Sequence, residues 1–214
     1  MSGSSLYLKQ LEVGPMQNFL YLIGDRKRRE CVVVDPAWEV DRALEEARKD
    51  DITVTGALVT HAHFDHVNGL DDFLKKVEGK VYCQREEAEF LKRWHSDLKP
   101  VEDGEKIQVG EMTLTFLHTP GHTPGSQCFL VENKLISGDT LFIQACGRCD
   151  LPGGDAKEMY ETLKRLASLE ENTLLYPGHN YADEPTSTIG QEKRWNPYLQ
   201  CRNLQEFLEF RTGS

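Results

Sequence analysis

Thr60-His61-Ala62-His63-Phe64-Asp65-His66 puts three histidines and an aspartate within six consecutive positions. Imidazoles and carboxylates packed this densely are costly to bury unless a cation satisfies them, and the mixture of nitrogen and oxygen donors suits a divalent metal. Further along stand Gly121-His122-Thr123, Gly138-Asp139-Thr140 and Gly178-His179-Asn180, each with a donor after a glycine that lets the backbone turn inward. Counted together, the seven donors give three nitrogens and a carboxylate for one ion and two nitrogens and a carboxylate for a second, with Asp139 as the bridge. Of the seven histidines in the chain, only His95 and His118 fall outside these contexts. His95 reads as a structural residue in the helical stretch around 90–94, and His118 as one that fixes the turn following it.

Upstream of the cluster, 7–11, 18–23 and 31–35 read as short strands opening an antiparallel sheet, with Pro36 ending the third. Helical spacing covers 39–49, and an apolar strand at 54–60 delivers the chain to His61. Strand alternation sends His61 and His63 to one side. Asp65 and His66 follow as the chain turns into a helix expected over 67–77. A strand at 80–83 and a helix at 86–94 come next, then strands at 106–109, 112–117, 127–131 and 134–136. Asp155 is placed to cap a helix over 156–169, and a last strand at 173–176 runs into His179.

Hydrophobic residues at 39% and charged residues at 28% are ordinary for a globular enzyme, and no linker divides residues 1–214, so a single domain is expected. A net charge of −10 disfavours nucleic acid, which needs clustered Lys and Arg. No apolar run approaches the roughly 18–20 residues that span a bilayer. The start lacks the basic and apolar regions of a secretion signal, and six widely spaced cysteines fit a reduced, cytoplasmic protein. Cys146-Gly-Arg-Cys149 is a lone C-x-x-C outside a strand-to-helix context and is not read as a redox pair.

The order His61-Ala-His63-Phe-Asp65-His66, His122, Asp139, His179 resembles the metallo-β-lactamase superfamily, over nearly the whole chain. Within it, residues 119–125 (Thr-Pro-Gly-His-Thr-Pro-Gly) and 138–142 (Gly-Asp-Thr-Leu-Phe) resemble glyoxalase II, the hydroxyacylglutathione hydrolases. Cys146-Gly-Arg-Cys-Asp150 and residues 187–197 resemble persulfide dioxygenases as well. The resemblance implies an αββα sandwich, two mixed sheets face to face with helices outside; the residues themselves give a mixed α/β chain.

On the hydrolase reading, His61, His63 and His122 hold one ion and Asp65, His66 and His179 the other, with Asp139 between them. Two divalent ions, zinc in preference to iron or manganese, would supply an activated water with a pKa of ~7 and polarise an acyl carbonyl. A thiolate, with a thiol pKa near ~8.5, leaves with little acid assistance. The expected substrate is thus a small thioester, such as a glutathione or other thiol conjugate. Asp65, Asp139 and Tyr181 are the expected catalytic residues. Arg148, Tyr181, Lys193 and Arg194, with Arg202 as a further cation, are candidates for binding an anionic substrate. The dioxygenase resemblance implies instead one Fe(II) on His61, His122 and Asp139. β-Lactamase and lactonase activities rank lower. The chain ends at Ser214, ahead of any glutathione-binding helical domain, and Ser126 stands where glyoxalase II often has a histidine; both count against a glutathione thioester. No serine-hydrolase elbow or phosphate loop is present.

Overall fold

The chain opens as an antiparallel meander of β1 (Leu6–Val13), β2 (Asn18–Asp25) and β3 (Glu30–Val34), in a computed structural model that describes residues 4–92 and 98–212. Helix α1 (Val40–Lys49) crosses over to β4 (Thr53–Leu58), parallel to β3. Two short helices, α2 (Phe64–Val67) and α3 (Leu70–Lys76), return the chain to β5 (Lys80–Gln84), and α4 (Arg85–Leu91) leads to β6 (Leu98–Val101). The first sheet is therefore ordered β1-β2-β3-β4-β5-β6.

Antiparallel strands β7 (Lys106–Val109), β8 (Met112–His118), β9 (Gln127–Val131) and β10 (Lys134–Gly138) begin the second sheet. A small ribbon of β11 (Leu141–Phe142) and β12 (Ala145–Cys146) precedes α5 (Ala156–Ala167). The next strand, β13 (Leu174–Pro177), pairs parallel with β10, and β14 (Ser187–Thr188) completes the order β14-β13-β10-β9-β8-β7. Helices α6 (Ile189–Trp195) and α7 (Leu204–Thr212) follow.

Alternation along the strands explains the layering. Tyr21, Ile23, Val32 and Val34 point between the sheets, where they meet Phe116, Phe129 and Ile136. Their neighbours Leu20, Leu22, Cys31 and Val33 point the other way, against Val40, Ala43 and Ala47 of α1 and Phe73 of α3. On the far side, Leu135 and Leu175 pack against Met159, Leu163 and Leu166 of α5 and Phe207 of α7. The result is the expected αββα sandwich, with apolar surface removed from water at three interfaces.

Some elements differ from the sequence expectation. The helix expected over 67–77 is two, because the Asn68 side chain turns back to accept the Trp38 amide at 2.6 Å and the second helix starts afresh after Gly69. The strand β6 was hidden by Pro100, which is tolerated because β6 is the sheet's edge. The short helix α6 was signalled by Thr188 and Gln191, a capping-box spacing; the Thr188 hydroxyl accepts the Gln191 amide at 3.1 Å. Asp155 caps α5 as expected, accepting from the amides of Lys157 and Glu158. Trp94 and His95 lie outside the described residues. Among those described, no helix is long and apolar enough to cross a membrane.

The sandwich gathers its strand ends along one edge. There the sheets are joined by main-chain hydrogen bonds, Phe19 N to Gly178 O at 2.7 Å, Asn180 N to Gln17 O at 2.8 Å and Gln127 N to Thr60 O at 2.9 Å. Gly121 and Gly138 turn into this edge with φ of +130° and +48°, conformations that a side chain disfavours. A Cβ at Gly121 would also stand 2.5 Å from the backbone of Met159. Gly121→Ala is accordingly expected to destabilise the protein by about 3 kcal/mol, from backbone strain plus overpacking against α5. Urea unfolding monitored by circular dichroism checks it, and an unchanged midpoint would contradict the account.

Candidate metal centre

Strand β4 ends two residues before Thr60, where the chain bends, and His63 precedes α2 in an extended conformation with φ −65° and ψ 144°. The rings of His61 and His63 come together, 4.7 Å apart, and α2 turns Asp65 and His66 towards the adjacent space. The loop after β8 brings His122, the end of β10 brings Asp139 and the end of β13 brings His179. At this last position glycine serves a different purpose from the other two: a Cβ on Gly178 would sit 2.3 Å from Asp139 Oδ1. All seven expected ligands meet in three overlapping groups, His61 with His63 and His122, His61 with His66 and Asp139, and Asp65 with His66 and His179.

The distances suit metal ions. Four donors about 2.0–2.1 Å from a tetrahedral ion lie about 3.3–3.4 Å from one another. His66 Nε2 is 3.2 Å from His179 Nε2, 3.4 Å from Asp65 Oδ2 and 3.3 Å from Asp139 Oδ1. His179 Nε2 is 3.4 Å from both Asp65 Oδ2 and Asp139 Oδ2. On the other side His63 Nδ1 and His122 Nε2 approach to 2.9 Å, with Asp139 Oδ2 3.7 Å from His122. His61 Nε2 and Asp139 Oδ1 are buried without a hydrogen-bond partner, which a protein tolerates poorly unless another group completes them. The donor set thus fits two divalent ions.

The opposite ring nitrogens are all engaged except at His63. His66 Nδ1 donates to Asp35 Oδ2 at 2.9 Å, His122 Nδ1 to Arg148 O at 2.7 Å and His179 Nδ1 to Met16 O at 2.9 Å. Thr60 Oγ1 donates to Asp35 Oδ2, so it accepts from His61 Nδ1 at 3.0 Å. These partners fix the ring orientations and leave each Nε2 facing the site. Asp35 thereby governs two ligands, and Asn18 holds Asp65 Oδ2 at 2.9 Å. Glu87, a buried acid on α4, accepts from Ala62 N, Thr123 Oγ1 and Gly125 N, clamping the first histidine loop to the His122 loop.

Electrostatics sorts the ligands. Burial disfavours a proton on His66, yet Asp139 and Asp35 outweigh it and raise its pKa well above the usual range. His179 is likewise disfavoured by burial but raised to about 9 by Asp139 and Asp65. Burial lowers His61 far below the imidazole range and His63 to about 4, with neighbouring imidazoles adding to both. Burial also acts against a charged Asp139, but the surrounding imidazoles hold its carboxyl well below the normal range.

A match to the metallo-beta-lactamase superfamily model runs over residues 13–179, most of the chain and every ligand. The chain belongs to the metallo-β-lactamase superfamily. It is 31% identical to the probable polyketide biosynthesis zinc-dependent hydrolase BaeB of Bacillus velezensis, over 91% of this chain and 87% of that protein. It is 32% identical to the human mitochondrial persulfide dioxygenase ETHE1, over 97% of this chain and 81% of that protein. The crystal structure of ETHE1 from Myxococcus xanthus superposes with a TM-score of 0.88 at 32% identity, over 96% of this chain and 90% of that one.

Of the residues expected to bind substrate, Tyr181 reaches the site: its ring stacks on His179 at 4.6 Å and is largely exposed. Arg148 pairs with Asp150 through two hydrogen bonds, 3.0 and 2.8 Å, while its carbonyl orients His122. Lys193 and Arg194 both turn to Glu171, and Arg202 to Glu206, so the expected cations do not form one patch. His118 fixes its turn as expected, donating from Nε2 to Pro124 O at 2.8 Å. Cys146 and Cys149 are free thiols whose pKa values burial raises, which disfavours thiolate. Sequence reasoning missed Asp35, Asn18 and Glu87. Asp35 had a signal, an acid at the end of an apolar strand, as Asp139 is; Glu87 had none, since it stands among Arg85, Glu86 and Glu89 in a charged stretch.

Asp139→Ala is expected to abolish tight binding of both ions, because it removes the carboxylate that faces both groups. Asp35→Asn keeps every ligand and should weaken metal binding about 10- to 100-fold. Metal titration against a chromogenic chelator separates the two; wild-type affinity in Asp139→Ala would refute the bridge.

Proposed function

We propose that this protein is a dinuclear metallo-hydrolase that cleaves a thioester or related acyl bond. The observation that carries the reading is the second site, where His66, His179, Asp65 and Asp139 meet at the spacings of tetrahedral ligands and are held from behind by Asp35, Met16 and Asn18. In this reading His61, His63 and His122 hold the first ion, Asp65, His66 and His179 the second, and Asp139 lies between. Two divalent ions, zinc by preference, would lower the pKa of a shared water to about 7 and polarise the acyl carbonyl.

The chain's own residues do the positioning. Asp65 and Asp139 face the same space as charged acceptors and orient the attacking water. Tyr181, stacked on His179, offers its hydroxyl as a hydrogen-bond donor to the substrate at the mouth of the site. Arg148, whose carbonyl orients His122, is the candidate for holding a substrate carboxylate. The likeness to a zinc-dependent hydrolase supports this reading.

A second reading, a persulfide dioxygenase using one Fe(II) on His61, His122 and Asp139, is favoured by the likeness to ETHE1 over 97% of the chain. His179→Ala distinguishes them. Thioester hydrolysis by the zinc-loaded protein is expected to fall roughly 100-fold or more in that variant, through loss of the second ion. Retention of glutathione-persulfide-dependent oxygen uptake by the iron-loaded variant, with no thioesterase activity in the wild type, would overturn the hydrolase assignment.

Arg148→Lys tests the substrate role, since a lysine cannot reproduce two parallel hydrogen bonds. The expected outcome is a raised KM with metal content and melting temperature unchanged. Metal loss or a lower melting temperature would instead mark Arg148 as a loop anchor.

A further inference from the structure

His63 stands on a ridge between two cavities. The larger, about 320 Å³, is walled by Ala62, His63, Phe64, Val67, Leu70 and Leu91, with Asn68 and Asp71 at its polar edge. A smaller one, about 130 Å³, lies on the other side of Ala62 and His63, against Phe90, Pro124 and Pro152. The larger is within the size range of small-molecule sites and mainly apolar, and it opens beside a metal-ligating histidine. Of the six exposed large apolar side chains among the described residues, Phe64 at 72%, Phe90 at 53% and Tyr181 at 61% exposure all border the ligand cluster. Aromatic side chains left in water around a catalytic mouth mark a surface that a ligand covers. Phe64 is also held in place, its ring edge-on to Trp38 at 6.1 Å.

We infer that the larger cavity beside His63 binds the apolar acyl chain of the substrate, so that the enzyme prefers thioesters of medium-length aliphatic acids over acetyl or other small polar acyl groups. The inference rests on the hydrolase reading. A thioester carbonyl carries two substituents that must leave the reacting centre in different directions. At one side of the cluster is the apolar cavity next to His63, and at the other is the Tyr181 ring stacked on His179. The hydrocarbon goes to the first and the hydrogen-bonding carrier to the second. Hydrolysis then breaks the acyl carbon–sulfur bond, adds water's oxygen to the acyl carbon and a proton to the sulfur, and releases a fatty acid and a thiol.

The test uses the zinc-loaded full chain and the N-acetylcysteamine thioesters of acetic, butanoic, hexanoic and octanoic acids. The expected result is a kcat/KM that rises about threefold per added methylene, near the gain from burying each one. Phe64→Ala, an exposed position whose truncation leaves the core intact, should reduce the octanoyl-to-acetyl ratio about tenfold. Calorimetric titration with octanoate and acetate reads the cavity without turnover: octanoate should bind at least tenfold more tightly, and Phe64→Ala should erase most of the difference. Rates independent of chain length, or equal binding of the two carboxylates, would overturn the inference while leaving the hydrolase reading in place. Preferential octanoate binding with no thioester cleaved would uphold the cavity and sink that reading instead.

Discussion

Five imidazoles and two carboxylates converge where little water reaches them, and no arrangement of protons satisfies them all. His61 Nε2 stays unpaired while His63 and His122 crowd together at 2.9 Å. Holding such a cluster demands a scaffold that does not relax, because relaxation would relieve the crowding and destroy the site. The main-chain bonds joining β2 to the end of β13, and Gln127 to Thr60, supply that rigidity at the edge where the ligands emerge.

Two acids that do not face the ions carry much of the arrangement. Asp35 sits at the end of β3 with φ of +51° and reaches both the Thr60 amide and the hydroxyl that positions His61, as well as His66 directly. Glu87 ties the loop of His61 and His63 to that of His122 through three hydrogen bonds. A buried carboxylate accepting several donors is expensive to disturb, since removing it leaves amides unsatisfied. Each acid therefore couples one ligand loop to another.

The convergence of the seven expected donors was legible because metal chemistry confines donor types and because they follow strands beside recognisable turns. The αββα layering rested on resemblance, since alternation in β2, buried on both faces, does not say which sheet it faces. Asn18 and Glu87 were not legible: an amide at a strand start and an acid in a charged helical turn look solvated until the partner loop is in place. The pairings of the basic residues were hidden for a related reason. Arg148 lies against Asp150, while Lys193 and Arg194 share Glu171, contacts that the linear sequence does not display.

His63 and His122 are 59 residues apart, and His66 and His179 are 113 apart. No contiguous segment contains a complete donor group. A nascent or partly folded chain can offer the 61–66 stretch alone, which competes weakly for metal, so tight capture follows closure of both sheets. Metal capture would then come last in assembly, and occupancy would read out whether the halves of the chain have met.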